Sequence, residues 1–413
     1  MSGVVTTGVA GSGSLGRPFG WLWAAYAVST FGTRLAFDAF ALIAVVVLDA
    51  GPARVAALAA VGLAVGAVVA VPLGPWVEFR RKRPVMIGTD LVRCAALSSV
   101  PLAYAFGRLG FAQLVVVSVV VAAADITFRA AAGSCLKALV RPGDLLTANG
   151  RLEATTWTAT MLGPPAGGAA IGIFGPVVTV AVDALSHLLS ALGIRAIGGA
   201  EPRPRHADAP RPRTGDLLDG WRYVLASPDL RPLFLNTVLV NGLIMATAPP
   251  LAVLMLGDLG FAPWQYGLAF AVPCAGGLIG SRLARSLVTR FGTHRVLVTG
   301  GFLRVCWPLG LVFVGPGAEG LVLVMAVEFG LITSMGVFNT VFATRRLDLT
   351  PADRVARTLS AWTISGKLTT AALTAVWGVL AGLTGTRAAL ALAGVLLLAT
   401  PLLLPRRHPT RAQ

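Results

Sequence analysis

Charge is scarce in this sequence. Only 13% of its 413 residues are Asp, Glu, Lys or Arg, where an average soluble domain has roughly 25%. Acid is scarcer than base, at 18 residues against 34, and lysine is limited to Lys82, Lys137 and Lys367. With 55% apolar residues and a mean hydropathy of +0.77, too little polar surface is left to cover a soluble core of this length. The composition excludes a disordered, collagenous or disulfide-framed chain and points to a polytopic membrane protein.

Cysteine is nearly as rare. Cys94, Cys135, Cys274 and Cys306 lie in or beside apolar runs. None has the spacing of a zinc site or a disulfide framework, so they read as small buried hydrophobes. Residues Ser365 to Leu368 approach a phosphate-binding loop but lack the upstream glycine and the hydroxyl after the lysine. Gly11, Gly13 and Gly16 have the spacing of a dinucleotide-binding turn but follow no strand. Zinc-protease and serine-nucleophile patterns are missing as well. No enzyme, cofactor or metal centre is expected. Residues 1–17 show no basic cluster ahead of an apolar core, so no cleaved signal peptide is expected either.

Apolar sequence fills the rest. A bilayer-crossing helix takes about 20 mostly apolar residues. Twelve segments qualify: 19–48, 54–77, 84–105, 110–138, 148–172, 176–196, 231–256, 263–287, 296–315, 319–343, 356–382 and 386–404. The basic residues orient them. With the N-terminus inside, 26 of the 34 fall on the cytoplasmic side, in its loops or at the span ends that face it, and only Arg54, Arg108 and Arg387 fall outside. That asymmetry predicts two cytoplasmic termini, and the bias to arginine over lysine, with so much Ala, Gly and Val, points to a bacterial plasma membrane. It also accounts for the net charge of +16 without a nucleic-acid partner.

The longest polar stretch splits the chain. The expected organisation is a tail over 1–18, a six-helix bundle over 19–197, a linker over 198–229, a second bundle over 230–405 and a tail over 406–413. Leu217, Leu218, Trp221, Val224 and Leu225 share one helical face near the end of the linker, which predicts an interfacial helix. The halves are related: residues 85–94 resemble residues 296–305 at an offset of 211. Duplicated six-span halves suggest an all-α transporter that alternates access around a central site.

Three motifs carry a resemblance to the major facilitator superfamily, and to its twelve-span bacterial drug and natural-product efflux branch. The family has a loop after span two with the pattern Gly, three residues, Asp-Arg, one residue, then Gly-Arg-Arg. Here Gly74, Lys82 and Arg83 match, while Glu78 replaces the Asp, Phe79 the first Arg and Arg81 the Gly. The second-half copy keeps Arg290, Gly292 and Arg295, with Thr289 at the acid position. In span four, Arg129 is followed by Gly133, like the family's buried arginine implicated in proton transfer. Span five carries Gly150, Ala159, Gly163, Pro164, Gly167 and Gly168. It is similar to the family's antiporter motif, with Ala159 in place of a glycine. Small residues one turn apart let helices approach closely, and a helical proline bends the chain. The resemblance implies a gating loop after span two, a mobile contact at span five, and export rather than import.

Ionisable groups at membrane depth cost about 3 kcal/mol each and are functional candidates by default. Arg34 and Asp38, Asp125 and Arg129, and Asp183 and His187 are each spaced by four residues, and Asp90 and Arg93 by three. Each pair shares a helix face. Glu328 and Lys367 have no local partner, which suggests that they meet across helices. Each group is either a static ion pair that specifies packing or a carboxylate that cycles a proton. Trp23, Trp157, Trp362 and Trp377 could line a cavity or form an interfacial belt. The expected function is proton-coupled export of an amphipathic small molecule by a monomer in the lipid bilayer. A proton-coupled nutrient importer and a membrane sensor on the same fold remain alternatives.

Overall fold

The computed structural model describes residues 15–36, 39–48, 71–199, 201 and 218–404, with 58, 61–62, 64–66 and 68–69. Asp38, much of the second expected span, most of the linker and the chain ends lie outside them. The described elements are helical throughout. A backbone in hydrocarbon must satisfy its own hydrogen bonds, and a helix does so within one segment.

In the first half these are α1 (Gly16–Leu35), α2 (Ala39–Leu42), α3 (Leu73–Glu78), α4 (Lys82–Ala105), α5 (Phe111–Leu139), α6 (Leu145–Phe174) and α7 (Pro176–Arg195). A short helix, α8 (Asp219–Ala226), precedes α9 (Leu230–Ala252), α10 (Pro263–Ala271), α11 (Cys274–Phe291), α12 (Thr293–Cys306), α13 (Gly317–Leu349), α14 (Val355–Thr384) and α15 (Thr386–Ala399). Nine of the described helices, with their short continuations, are long and apolar enough to cross a membrane. Where one apolar run over 19–48 is expected, α1 ends at Leu35, and α2 continues into a π-helical turn, Ile43–Val47.

The last two helices of each half are joined by the same device. Gly175 (φ +82) ends α6 and starts α7, and Gly385 (φ +91) ends α14 and starts α15. A left-handed glycine terminates one helix at once, and Pro176 takes the first helical position of the next, where its missing N–H costs nothing.

Helices α4 and α7 pack on α1 and α5 in the first half, while α9, α11 and α12 pack on α13 and α14 in the second. Each half has its own apolar cores. Leu97, Val100, Leu114 and Val180 are fully buried in one, and Val240, Val305, Ala389 and Leu397 in the other. The halves meet where α6 crosses α11 and α13 and where α14 runs along α5 and α3.

One expectation changes at this level. The small residues of span five do not mainly serve the contact between halves. A side chain at Gly163 would strike Arg34, and one at Gly167 would lie 2.1 Å from the Leu35 carbonyl, so this face is spent on α1. Of the motif's glycines, only Gly150, near the Ser281 carbonyl, meets the second half. Ala159 is fully buried, Pro164 is exposed, and Gly168 faces open space. The linker helix is docked on the second bundle. Trp221 Nε1 donates to Ser365 Oγ at 2.9 Å, which clamps α8 to α14, while Leu218 and Leu225 stay exposed. Leu217 lies outside the described residues.

Gly167→Ala places a methyl against a backbone carbonyl. Such overpacking costs about 1–3 kcal/mol, more than the ~1 kcal/mol of helix propensity that alanine adds. Its melting temperature in detergent should fall by several degrees, whereas Gly168→Ala, with nothing near its new methyl, should match or exceed the native value. Equal melting temperatures would remove the close-approach role of Gly167.

Candidate functional site

The membrane-depth charges converge on one acid. Asp125 on α5 accepts Arg129 Nε from its own helix at 3.0 Å, meets Lys367 Nζ from α14 at 3.5 Å, and lies 3.7 Å from Arg93 Nη1 of α4. The Arg93–Asp90 pair is intact at 2.5 Å, and the Arg93 guanidinium lies 4.6 Å from the Phe128 ring centre. Behind Asp90 stands His187, followed by Asp183. Five expected candidates, Asp90, Arg93, Asp125, Arg129 and Lys367, thus form one network rather than separate local pairs.

Its inner end is sealed and its outer end is open. Asp90 is fully buried, while the Arg129 side chain is 56% exposed. A cavity of about 250 Å³ touches Arg129 and is lined by Tyr26, Asn149, Arg346 and Thr363 from both halves. Lys367 is the second half's contribution to the network, and its contact with Asp125 bridges the halves at depth.

Several expectations need correction. Lys367 does not pair with Glu328. Helix α14 runs along α5 and delivers Lys367 to Asp125, whereas Glu328 sits on α13, facing α11 and α10. Among the described residues Glu328 meets no ion-pair partner, and it is 8% exposed. The Arg34–Asp38 pair cannot be placed, since Asp38 lies outside the described residues; Arg34 lies in the field of Arg129 and Asp125. Of the tryptophans, Trp23 lines a cavity between the halves, while Trp362 and Trp377 are packed in the second half, donating to Thr237 and to the Ala389 carbonyl.

Glu153 is a functional contact that the sequence does not single out. Its Oε1 accepts Trp157 Nε1 at 2.9 Å and Asn339 Nδ2 at 3.0 Å, so it ties α6 to α13 across the halves. The four-residue spacing to Trp157 was its only local signal. The sequence does not single out Arg304 either. It is the repeat counterpart of Arg93, fully buried, and its side-chain partners are Asn236 Oδ1 at 2.5 Å and the Phe338 face.

At the end of the molecule that carries the linker, the halves are shut. Glu78, at the end of α3, forms an ion pair with Arg357 Nε at the start of α14 and also accepts the Arg357 backbone N–H at 3.3 Å. Arg357 continues to Asp219 of α8 at 2.9 Å. Lys82 does not cross the gap; its ammonium donates to the carbonyls of Val77, Glu78 and Arg80 and closes the C-terminal end of α3. Arg83 reaches the Gly198 and Gly199 carbonyls. Gly74 lies within α3. In the second copy, Gly292 ends α11 with φ +81, and Arg290 is exposed beside Phe291. Lys137 of α5 adds a further bolt, donating to the Leu347 and Thr350 carbonyls at the end of α13.

Burial pushes the Glu78 carboxyl up to about 7, and the nearby Arg357 and Lys82 only partly oppose it. The sign follows from linkage. An opened end returns Glu78 to water and to its ordinary value of 4.5, so the closed end binds the proton more tightly. Closure is then fully favoured below 4.5 and loses this contribution as pH rises through about 7. Spin labels at positions 141 and 345 should report a larger open fraction at pH 8 than at pH 5.5. Glu78→Gln should be closed and insensitive to pH in that range. Opening that increases on acidification would refute this sign.

The comparisons with known proteins agree with this architecture. The model of the Major Facilitator Superfamily matches residues 22–346. The multidrug efflux pump Tap of Mycobacterium tuberculosis (strain ATCC 25618 / H37Rv) is 32% identical over 216 residues, covering 50% of this chain and 51% of that protein. Tap of Mycobacterium bovis (strain ATCC BAA-935 / AF2122/97) gives the same figures. The match thus spans about half the length of these curated relatives. Among solved structures, a bacterial homologue of the iron transporter ferroportin in an outward-facing state has a TM-score of 0.76 at 14% identity, covering 93% of this chain and 98% of that one. The human organic anion transporter MFSD10 gives 0.74 at 15% identity, with 94% and 98% covered. The E. coli fucose:proton symporter gives 0.68 at 13%, with 94% and 99% covered. At such identities the structural likeness is one of fold. The family match over most of the chain, on a helical framework with paired charges at membrane depth, makes this protein a multi-pass membrane transporter of the Major Facilitator Superfamily.

Proposed function

We propose that this transporter exports an amphipathic small molecule in exchange for protons, with Asp125 as the acid that exchanges its proton against substrate. The observation that carries the reading is the position of Asp125: a single carboxylate joined to cations of both halves, one of which, Arg129, borders a cavity that both halves line. Protonation cancels the charge to which Arg129 and Lys367 are both paired, so it weakens the one deep ion pair between halves among the described residues. Substrate and proton then compete for one state of the junction. The Tap relatives, named as multidrug efflux pumps, support export. The antiporter-type motif of α6 supports it too.

The closed linker end corresponds to the cytoplasmic side, given the basic residues gathered there. The described state is then closed to the cytoplasm, with both termini on that side and the monomer as the working unit. Glu328 is the second candidate for proton exchange, because it is a buried acid with no ion-pair partner among the described residues. Glu153, held by two neutral donors, serves the contact between halves.

One proton moving down 100 mV supplies about 2.3 kcal/mol, enough for roughly 50-fold accumulation of a neutral substrate. Proteoliposomes with an imposed proton gradient, screened over amphipathic cations and neutral compounds, test this. Asp125→Asn should lower gradient-driven accumulation at least tenfold and leave substrate counterflow running. Full gradient-driven accumulation by Asp125→Asn would remove Asp125 as the exchanging acid. Accumulation in the direction of proton flow would replace export with import.

A further inference from the structure

Deeper in the first half, away from the cavity, lies a group that the proposed exchange at Asp125 does not use. His187 on α7 is 1% exposed, and it sits between two buried acids, Asp90 of α4 at 0% and Asp183 of α7 at 5%. Its Nδ1 is 3.4 Å from Asp90 Oδ1, and its Nε2 is 3.5 Å from Asp183 Oδ1. Both contacts are within ion-pair range, but among the described residues neither ring nitrogen makes a hydrogen bond, and Asp90 Oδ2 makes none either.

This geometry fixes a proton count. A neutral imidazole has one N–H and one bare lone pair. Between two ionised carboxylates, a neutral ring turns that lone pair toward one of them in a place from which water is excluded. One added proton resolves the conflict, because an imidazolium turns no bare lone pair to either carboxylate and its charge attracts both.

The surrounding charges do not supply a substitute. On α1, Thr33 Oγ1 donates to Asp183 Oδ1 at 3.2 Å, and Arg34 lies toward Arg129 and Asp125. On α4, Arg93 is committed to Asp90 and, beyond it, to Asp125 of α5. On α6, Glu153 is held by Trp157 and Asn339, and Arg151 lies over Phe19 and Trp23. Helix α2 carries no ionisable residue.

The fold itself does not need this cluster. In the second half, Arg304 repeats Arg93, but Gly301 stands where Asp90 would be. Residues 392–398 of α15, which correspond to the Asp183–His187 turn, are Ala, Gly, Val and Leu only. The same packing position is filled there by buried Ala393 and Leu397.

We propose that Asp90, His187 and Asp183 form a proton-binding site inside the first bundle, occupied in the described state and linked to Asp125 through Arg93. Asp90 Oδ1 is shared between His187 and Arg93, and the other end of Arg93 reaches Asp125. Loss of the proton from His187 leaves Asp90 with Arg93 as its one cation and draws the guanidinium away from Asp125. Asp125 then gains affinity for a proton. The two sites hold their protons in turn. Occupancy of the site stands on geometry alone; its link to transport rests on the proton-exchange reading above.

The test uses the full chain in lipid nanodiscs with 15N-labelled histidine. Replacing His206, His294 and His408 by Gln leaves His187 as the single signal. At pH 7.5 both ring nitrogens should be protonated, and Asp183→Asn should convert the signal to that of a neutral ring. A bare ring nitrogen at pH 7.5 in the chain with both acids intact would overturn the site. A signal unmoved by Asp183→Asn would overturn the role of the acids. In proteoliposomes, Asp183→Asn should lower gradient-driven accumulation at least tenfold while counterflow stays within twofold of native; undiminished accumulation would overturn the link to transport. If the native chain shows no gradient-driven flux, the exchange reading falls, and the resonance experiment still decides the proton site.

Discussion

The structure turns on Asp125. An isolated carboxylate at membrane depth is among the most costly groups a helix can carry, and this one is tolerated because three helices bring it cations. The arrangement is mutual. Arg93 is held in place by the Phe128 face and by Asp90, Arg129 is oriented by its bond to Asp125, and Lys367 has no other acid within reach among the described residues. Remove the acid, and three cations lose a common partner in a low-dielectric setting where each unpaired charge is far from neutral in cost. Because one of the three belongs to the other half, the electrostatics of a single side chain and the relative position of the halves are the same problem.

The linker end is held by different means. There the cations mostly meet helix ends: Lys137 the last carbonyls of α13, Lys82 those of α3, and Arg83 the carbonyls after α7. Carbonyls do not titrate, and a cation at a helix C-terminus is favoured at any ordinary pH. Glu78 is the exception, a buried carboxyl whose proton affinity differs between closed and open states. The depth junction and the linker end therefore respond to protons through separate groups. One loosens when its acid is protonated, and the other tightens.

The fold was legible because its signals are repetitive. Apolar runs of membrane length, basic clusters on alternate loops and an internal repeat all follow from bilayer physics, and each is visible residue by residue. Local charge pairs were legible for the same reason: Asp125 with Arg129 and Asp90 with Arg93 share a helix face at fixed spacing. What the sequence could not carry was any contact between helices distant in the chain. Lys367 looked available to Glu328 because both lacked a local partner, and only the path of α14 along α5 sends it to Asp125. Glycines hid in the same way. The motif of α6 announces a close approach, but not that α1 is the helix approached. Glu153 escaped because its partners, an indole and an amide, carry no charge to draw attention to it.

The two halves share ancestry in their pattern and differ in their chemistry. Arg93 and Arg304 occupy repeat positions and both lie buried over a phenylalanine ring, 4.6 and 3.5 Å from its centre. Arg93 has two carboxylates within ion-pair range, while Arg304 has a neutral amide. An arginine that meets only an amide and an aromatic face keeps one arrangement whatever the pH, since none of its partners changes charge. An arginine shared between two acids has two arrangements that differ by which acid is ionised. The first bundle can thus convert a proton into a displaced guanidinium, whereas the second, at that position, can only pack. Motion generated by protonation has to begin on one side of the interface and be received on the other, and Lys367, the second half's cation at Asp125, is placed to receive it.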